Sequence, residues 1–271
     1  MESKIALTMG FDDRFFKGGA VMIHSLKKHL SNFDKFDFKV FYSDEVCQLS
    51  EENKNKLRKI HSDIIFEKID QPAYSNCDVM YEKHRASFLA IECFNQTDYD
   101  KVVFFDADML CIGDFYDVIE ESPSDMVSGC GYDHTAINTG FFIVGSYYLQ
   151  KEVYDTMIDN LNNYGKQFRH TDQFIINETI GNFRALPWYY NWCMDRHDYK
   201  LHENTKIIEW SGALPASGTF QVKPWEEDEL ETTLTSDGRK LSEVDHVSLN
   251  GTEANNLWND SMSEIENIIR S

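Results

Sequence analysis

Two aspartates separated by one small residue, Asp106-Ala107-Asp108, are the residues of this chain best placed to do chemistry. They follow directly on Val102 to Phe105, a run of β-branched and aromatic residues without a turn former, which reads as a buried strand. In open α/β sheets, ligands sit in the crevice outside the carboxyl ends of the strands, so this strand delivers two carboxylates to the usual ligand edge. Carboxylates suit a hard divalent cation such as Mg2+ or Mn2+. On spacing alone, metal binding and turn capping both fit. Asp98 and Asp100 repeat the spacing, but they precede the strand, in the polar loop NQTDYD.

The elements that must position this pair can be read in order. Lys4 to Thr8 reads as a first strand, followed by the polar turn Met9 to Arg14 and a helix over Gly18 to Leu30. Phe38 to Tyr42 and Ile64 to Ile69 read as strands, with a helix between them that Ser50 caps and early acids support. Tyr81 to Phe94 reads as the helix before the central strand. This alternation argues for a doubly wound, mainly parallel sheet. Further on, Thr139 to Gly145 reads as a strand and Leu149 to Tyr164 as a helix. Another helix starts over His170 to Thr179, with Thr171 as its cap and Asp172 in its first turn. Ser263-Glu264-Ile265-Glu266 fits a capping box opening a short last helix.

Size and charge narrow the function. A chain of 271 residues holds one large α/β domain or two small ones, and 42% hydrophobic residues exclude disorder. A formal net charge of −20 repels nucleic acid and anionic membranes. It repels a nucleotide too, so any phosphate site must supply positive charge locally. The N-terminal stretch lacks the pattern of a cleaved signal peptide, and no run approaches the roughly 18 apolar residues of a membrane span. Six scattered cysteines without metal or redox spacing read as unbridged thiols, and the expected location is cytoplasmic. Residues 226–271 form an acidic C-terminal extension, read as packed on or capping the domain formed by residues 1–225.

Asp12 after the first strand, Asp106/Asp108, Asn138-Thr139-Gly140, Asp172-Gln173 and Lys223-Pro224-Trp225 occur in that order. Taken together they resemble glycosyltransferase family 8, the glycogenin-like retaining glycosyltransferases of GT-A fold, over roughly Lys4 to Trp225. The resemblance implies a single Rossmann-like domain with a mixed, mainly parallel central sheet. It implies that Thr8, Asp12 and Phe15 hold the nucleoside, with Phe15 where the family usually has tyrosine. Either ring supplies an aromatic face for a uracil. It places Arg85 near the donor phosphates, and makes Asp106, Ala107 and Asp108 the D-x-D that binds Mn2+, with Mg2+ as the substitute, on a UDP-sugar. Asn138, Thr139 and Gly140 would face the donor sugar, and Asp172 with Gln173 would match the D-Q pair beside the anomeric carbon. The family ends this set with His-x-x-Gly-x-x-Lys-Pro-Trp. Here Glu209 occupies the histidine's place, Gly212 follows, and Lys223 comes after a longer loop. A carboxylate can ligate the cation, so Asp106, Asp108 and Glu209 are the expected ligands.

The implied activity is transfer of a hexose, glucose first and galactose next, from a UDP-sugar to a hydroxyl acceptor. The acceptor could be a glycan, a small polyol or a protein side chain, including the chain's own, and a homodimer is left open. Asp172 and Lys223 are the expected catalytic groups. Two alternatives remain. The missing histidine favours a non-catalytic sugar-nucleotide or carbohydrate-binding protein on the same scaffold. A sugar nucleotidyltransferase would share the architecture but calls for a glycine-rich basic loop after the first strand, where this chain has MGFDDRFF.

Overall fold

The apolar runs of the N-terminal half build one side of a seven-stranded sheet. In the computed structural model, which describes residues 3–77, 79, 82–132, 135–164, 172–194, 200–210, 213–214, 219–226 and 239–271, β1 (Ile5–Gly10) pairs in parallel with β2 (Asp37–Tyr42) and with β4 (Lys101–Phe105). β2 also carries β3 (Ile65–Lys68), again in parallel. On the other side of β4 lies β7 (Ala136–Gly145), which runs antiparallel, then β6 (Val127–Tyr132) and β8 (Phe183–Leu186). The sheet is therefore mixed and mainly parallel, the fold class expected. Strand order reverses at β1, and the crevice between the carboxyl ends of β1 and β4 is where such sheets bind ligands.

Both faces of the sheet are covered, which is why β4 is apolar from Val102 to Phe105. Val103 and Phe105 point into one core, with α1 (Phe16–His29), α2 (Glu51–Ile60) and α7 (Glu253–Arg270). Val102 and Phe104 point into the other, with α5 (Lys151–Tyr164), α6 (Asp172–Ile180) and the 3-10 helix Glu82–Asn95. Ser50 caps α2 as expected, its hydroxyl accepting from the Asn53 N–H.

Two expectations need correction. The segment before β4 winds as a 3-10 helix rather than an α-helix. Three residues per turn stack Phe88, Ile91 and Phe94 in one row, and all three are buried. The short last helix is the second half of α7, which Thr252 caps by accepting from the Asn255 N–H. Ser263 lies mid-helix, its hydroxyl donating to the Asn259 carbonyl. A continuous buried stripe, Ala254, Trp258, Ser261 and Ile265, joins the two halves. Through that stripe α7 enters the first core, and Glu264 pairs with His24 and Lys28 on α1. All six cysteines are buried and unbridged. Among the described residues, no helix is long and apolar enough to cross a membrane.

Candidate active site

The turn after β4 is held from three sides. The Asp106 N–H donates to the Gly140 carbonyl at 2.8 Å, tying the first aspartate to β7. Beyond Asp108 the chain enters β5 (Met109–Cys111), which pairs antiparallel with β10 (Ile207–Glu209) so that Glu209 lies opposite Met109. The Trp210 N–H closes the corner on the Asp108 carbonyl at 3.0 Å. From the third side α1 approaches so closely that a Cβ on Gly18 would lie 2.2 Å from the Ala107 carbonyl oxygen, so only glycine fits there. The result is a group of three carboxylates, Asp106, Asp108 and Glu209, each offering an oxygen within 4.8 Å of the others.

Lys223 closes the cluster. Its ammonium pairs with the Asp108 carboxylate and donates to the Trp210 carbonyl at 2.6 Å, while its side chain is buried. It also lies 5.6 Å from the ring centroids of both Phe15 and Trp225. Those two rings meet edge to face at 6.0 Å, and Trp225 backs onto Trp258 of α7 at 5.8 Å. Phe15 thus stands at the mouth of the acidic site, where the nucleoside was expected.

On the opposite flank, β7 carries Asn138, Thr139 and Gly140, all buried. Asp172 begins α6 and is 6% exposed, with its carboxylate accepting from the Thr139 and Ser87 hydroxyls and from backbone N–H groups. Asp172 is close enough to Asp106 to oppose its ionisation. Gln173 is half-buried beside it, and its carbonyl accepts from Asn177.

Other expected residues have local roles. The Thr8 hydroxyl lies inside the sheet, donating to the Val103 carbonyl at 2.9 Å. Asp12 caps the 3-10 turn Asp13–Phe15 and holds the Arg14 guanidinium at 2.9 and 2.5 Å. Arg85 donates from Nη1 to the Tyr74 and Cys77 carbonyls at 2.9 and 2.7 Å. Gly212 lies outside the described residues, as do Thr171, His170 and Tyr199.

Three residues at the site went unread in the sequence: Ser87, Asn191 and Cys193. Nothing local marks them. The thiol of Cys193 donates to Glu209 Oε2 at 2.9 Å, and Asn191 Nδ2 donates to Asn138 Oδ1 at 2.7 Å. The first contact follows from β9 (Trp192–Cys193) running parallel to β10, which sets Cys193 opposite Glu209, and the second joins the residue before β9 to β7.

The electrostatics follow from crowding acids out of water. Burial, then the charges of Asp108, Asp172 and Glu209, push the Asp106 carboxyl well above its usual range. Glu209 is pushed up to about 7 by burial and then by Asp108, against the opposing bonds from Cys193 and Asn191. Burial also raises Asp172. Burial would lower Lys223, but Asp108, Glu226 and Glu209 outweigh it and raise its pKa. Among the described residues one ammonium, that of Lys223, faces these acids, so the cluster calls for more positive charge. The donor set is all carboxylate oxygen, which fits a hard divalent cation. The buried Asn191 Oδ1 also has no hydrogen-bond partner among the described residues, an acceptor still open beside the cluster.

The mixed, mainly parallel sheet matches the GT-A fold of solved glycosyltransferases. The solved galactosyltransferase LgtC, in complex with donor and acceptor sugar analogs, superposes with a TM-score of 0.69 over 96% of this chain and 95% of its own, at 11% identity. Glycogenin-1 of Caenorhabditis elegans is 24% identical over 237 residues, 82% of this chain and 51% of the relative. Glycogenin-1 of Mus musculus is 23% identical over 239 residues, 83% of this chain and 66% of the relative. The chain thus spans about half of the worm protein and 66% of the mouse protein. No family model matches. The chain is glycogenin-like, and the resemblance to glycosyltransferase family 8 read from its motifs is borne out.

Proposed function

We propose that this protein is a metal-dependent glycosyltransferase that moves a hexose, glucose before galactose, from a UDP-sugar to a hydroxyl acceptor with retention at the anomeric carbon. The observation that carries this reading is the meeting of Asp106, Asp108 and Glu209 with Lys223 at the switch point of a GT-A sheet, with Asp172 buried alongside. Asp106, Asp108 and Glu209 would hold Mn2+ or Mg2+, and the bound cation supplies positive charge to the leaving diphosphate. The Lys223 ammonium, on the same carboxylate edge, would neutralise what remains of that charge. Arg85 spends its Nη1 on backbone carbonyls, so Lys223 is the stronger candidate for this role. The Phe15 ring would offer the base an aromatic face, with Asp12 and Thr8 as the other residues proposed for the nucleoside side of the site.

In the transfer, the bond between the anomeric carbon and the phosphate oxygen breaks and UDP leaves with the electron pair. The acceptor oxygen bonds to the same face and gives its proton to the departing diphosphate oxygen. Asn138, Thr139, Gly140 and Gln173 would frame the sugar. Asp172 is the carboxylate able to stabilise positive charge at the anomeric carbon, or to bond it in a double displacement. Thr139 and Ser87 hold it in one orientation. The transferase domain is assigned to residues 1–225, with the extension capping it through α7, and the acceptor could be the chain itself.

The deciding assay is UDP release from UDP-glucose and UDP-galactose with and without Mn2+, with intact-mass measurement for self-transfer. Metal-dependent UDP release that grows with added acceptor is expected. No release from any UDP-sugar in Mn2+ or Mg2+ would overturn the reading.

A further inference from the structure

Glu209 stands where family 8 has a histidine, and the structure gives it a seat of its own. Asn191 and Cys193 are two residues apart on an extended segment, so their side chains share one face. Trp192 faces away and donates its Nε1–H to the Lys200 carbonyl at 2.8 Å. Parallel pairing sets Cys193 beside Glu209, and the thiol donates to Glu209 Oε2 at 2.9 Å. The Asn191 amide adds a second bond that favours the charged carboxylate. Asn191 is itself fixed, fully buried and bonded at 2.7 Å to Asn138 Oδ1, which also accepts the Gly140 N–H at 2.8 Å. Gly140 leaves room for the carboxylate: a Cβ there would lie 3.3 Å from Glu209 Cδ and 2.8 Å from Met109 Cε.

Hydrogen bonds therefore link the Gly140 carbonyl, which holds Asp106, through Asn138 to Asn191, and the Asn191 amide favours the charged form of Glu209. The thiol bond draws on the lone pairs of Oε2, which makes Oε1 the more basic oxygen and the favoured one for a cation. The thiol itself is not a member of the group whose ligand atoms lie within 4.8 Å of one another. Groups behind metal ligands orient them and tune affinity, commonly by about 10- to 100-fold.

We propose that Cys193, backed by Asn191, is a positioning residue that turns the Glu209 carboxylate into a single-oxygen ligand, completing an all-oxygen site for a hard divalent cation. This rests on the metal-dependent reading above, and the test separates the two. Mn2+ uptake by the full chain without nucleotide is followed by the loss of the free-ion electron paramagnetic resonance signal. Thermal unfolding is recorded on the same samples.

Cys193→Ala is expected to weaken Mn2+ binding about 10-fold, while Cys193→Ser, whose hydroxyl still donates, stays within about twofold of the native chain. A melting temperature common to both metal-free variants would leave the donor, not packing, as the difference between them. Equal weakening by both variants, or native binding by Cys193→Ala, would overturn the positioning role alone. Native binding by Glu209→Gln alongside weakened binding by Asp108→Asn would remove Glu209 as a ligand and sink this inference. It would leave the transferase reading standing. If the native chain takes up no Mn2+, the metal reading falls and the positioning role with it.

Discussion

Two groups of carboxylates, Glu92 and the cluster of half-buried Asp106 and Asp108 with buried Glu209, differ in their partners, and the contrast between them separates architecture from function. Glu92, on the 3-10 helix, is 2% exposed. Its Oε1 accepts from the Tyr74 and Tyr154 hydroxyls, each at 2.7 Å, and its Oε2 from Asn95 Nδ2 at 3.2 Å. Neutral donors complete that group, and it staples the 3-10 helix to α5 and to the helical turn Pro72–Asn76, α3. Asp106, Asp108 and Glu209 are instead aimed at one another, with the Lys223 ammonium as their paired cation. A fold gains nothing from setting acids against acids. A site that must recruit a cation does, and local conflict of this kind marks function.

The sharpest way to break the comparison is to cross it with two substitutions. Asp106→Asn removes a charge that its neighbours already oppose, so the melting temperature should hold or rise. Transfer should fall by roughly 1,000-fold, the scale at which loss of a charge-stabilising group acts. Glu92→Ala should do the reverse. It leaves two tyrosine hydroxyls without their acceptor, costs about 2–4 kcal/mol of stability, and leaves turnover per folded molecule unchanged. Chemical unfolding and UDP-release assays on both variants read this out. Matching behaviour of the two would erase the distinction between the clusters.

A smaller change sharpens what the functional cluster selects. Imidazole favours zinc-like ions more than magnesium, whereas carboxylates suit magnesium and manganese. Glu209→His should raise the affinity for Zn2+ relative to Mg2+ by about 10-fold, measured by competition titration without nucleotide. An unchanged ratio would mean that position 209 does not meet the cation.

The contrast also explains what could be read in advance. Asp106 and Asp108 were legible because strand and acids are contiguous, so one stretch carries both the position and the chemistry. Lys223 followed from the ordered resemblance, and Glu209 was found through the place it fills. Cys193 was not legible, because a register between two very short strands, β9 and β10, decides its partner, and Asn191 meets Asn138 of β7 through tertiary contact alone. Ser87 reaches Asp172 from the far helix, again through tertiary contact alone. Glu92 was hidden in an ordinary-looking helical stretch, and its partners come from α3 and α5. In the last helix a local capping pattern at Ser263 lost to the longer stripe from Ala254 to Ile265, where packing outweighs the cap.

The smallest expected effect concerns how Glu92 titrates. Burial, with Glu67 adding to it, raises its carboxyl above the ordinary 4.5 even though three donors pull the other way. The folded chain therefore holds this proton more tightly than the unfolded chain. Its stabilising contribution is complete below the unfolded value and is lost as pH rises through the folded one. Glu92→Gln is neutral at every pH and keeps an oxygen for the two hydroxyls. The melting temperature of the native chain should therefore drop relative to that of Glu92→Gln as pH rises from 4.5 through the weakly acid range. Recording the difference between the two chains cancels the large common effect of a net charge of −20. A difference that stays flat from acid to neutral pH would show that the three donors fully offset burial, and that this cluster, too, carries its charge at no expense.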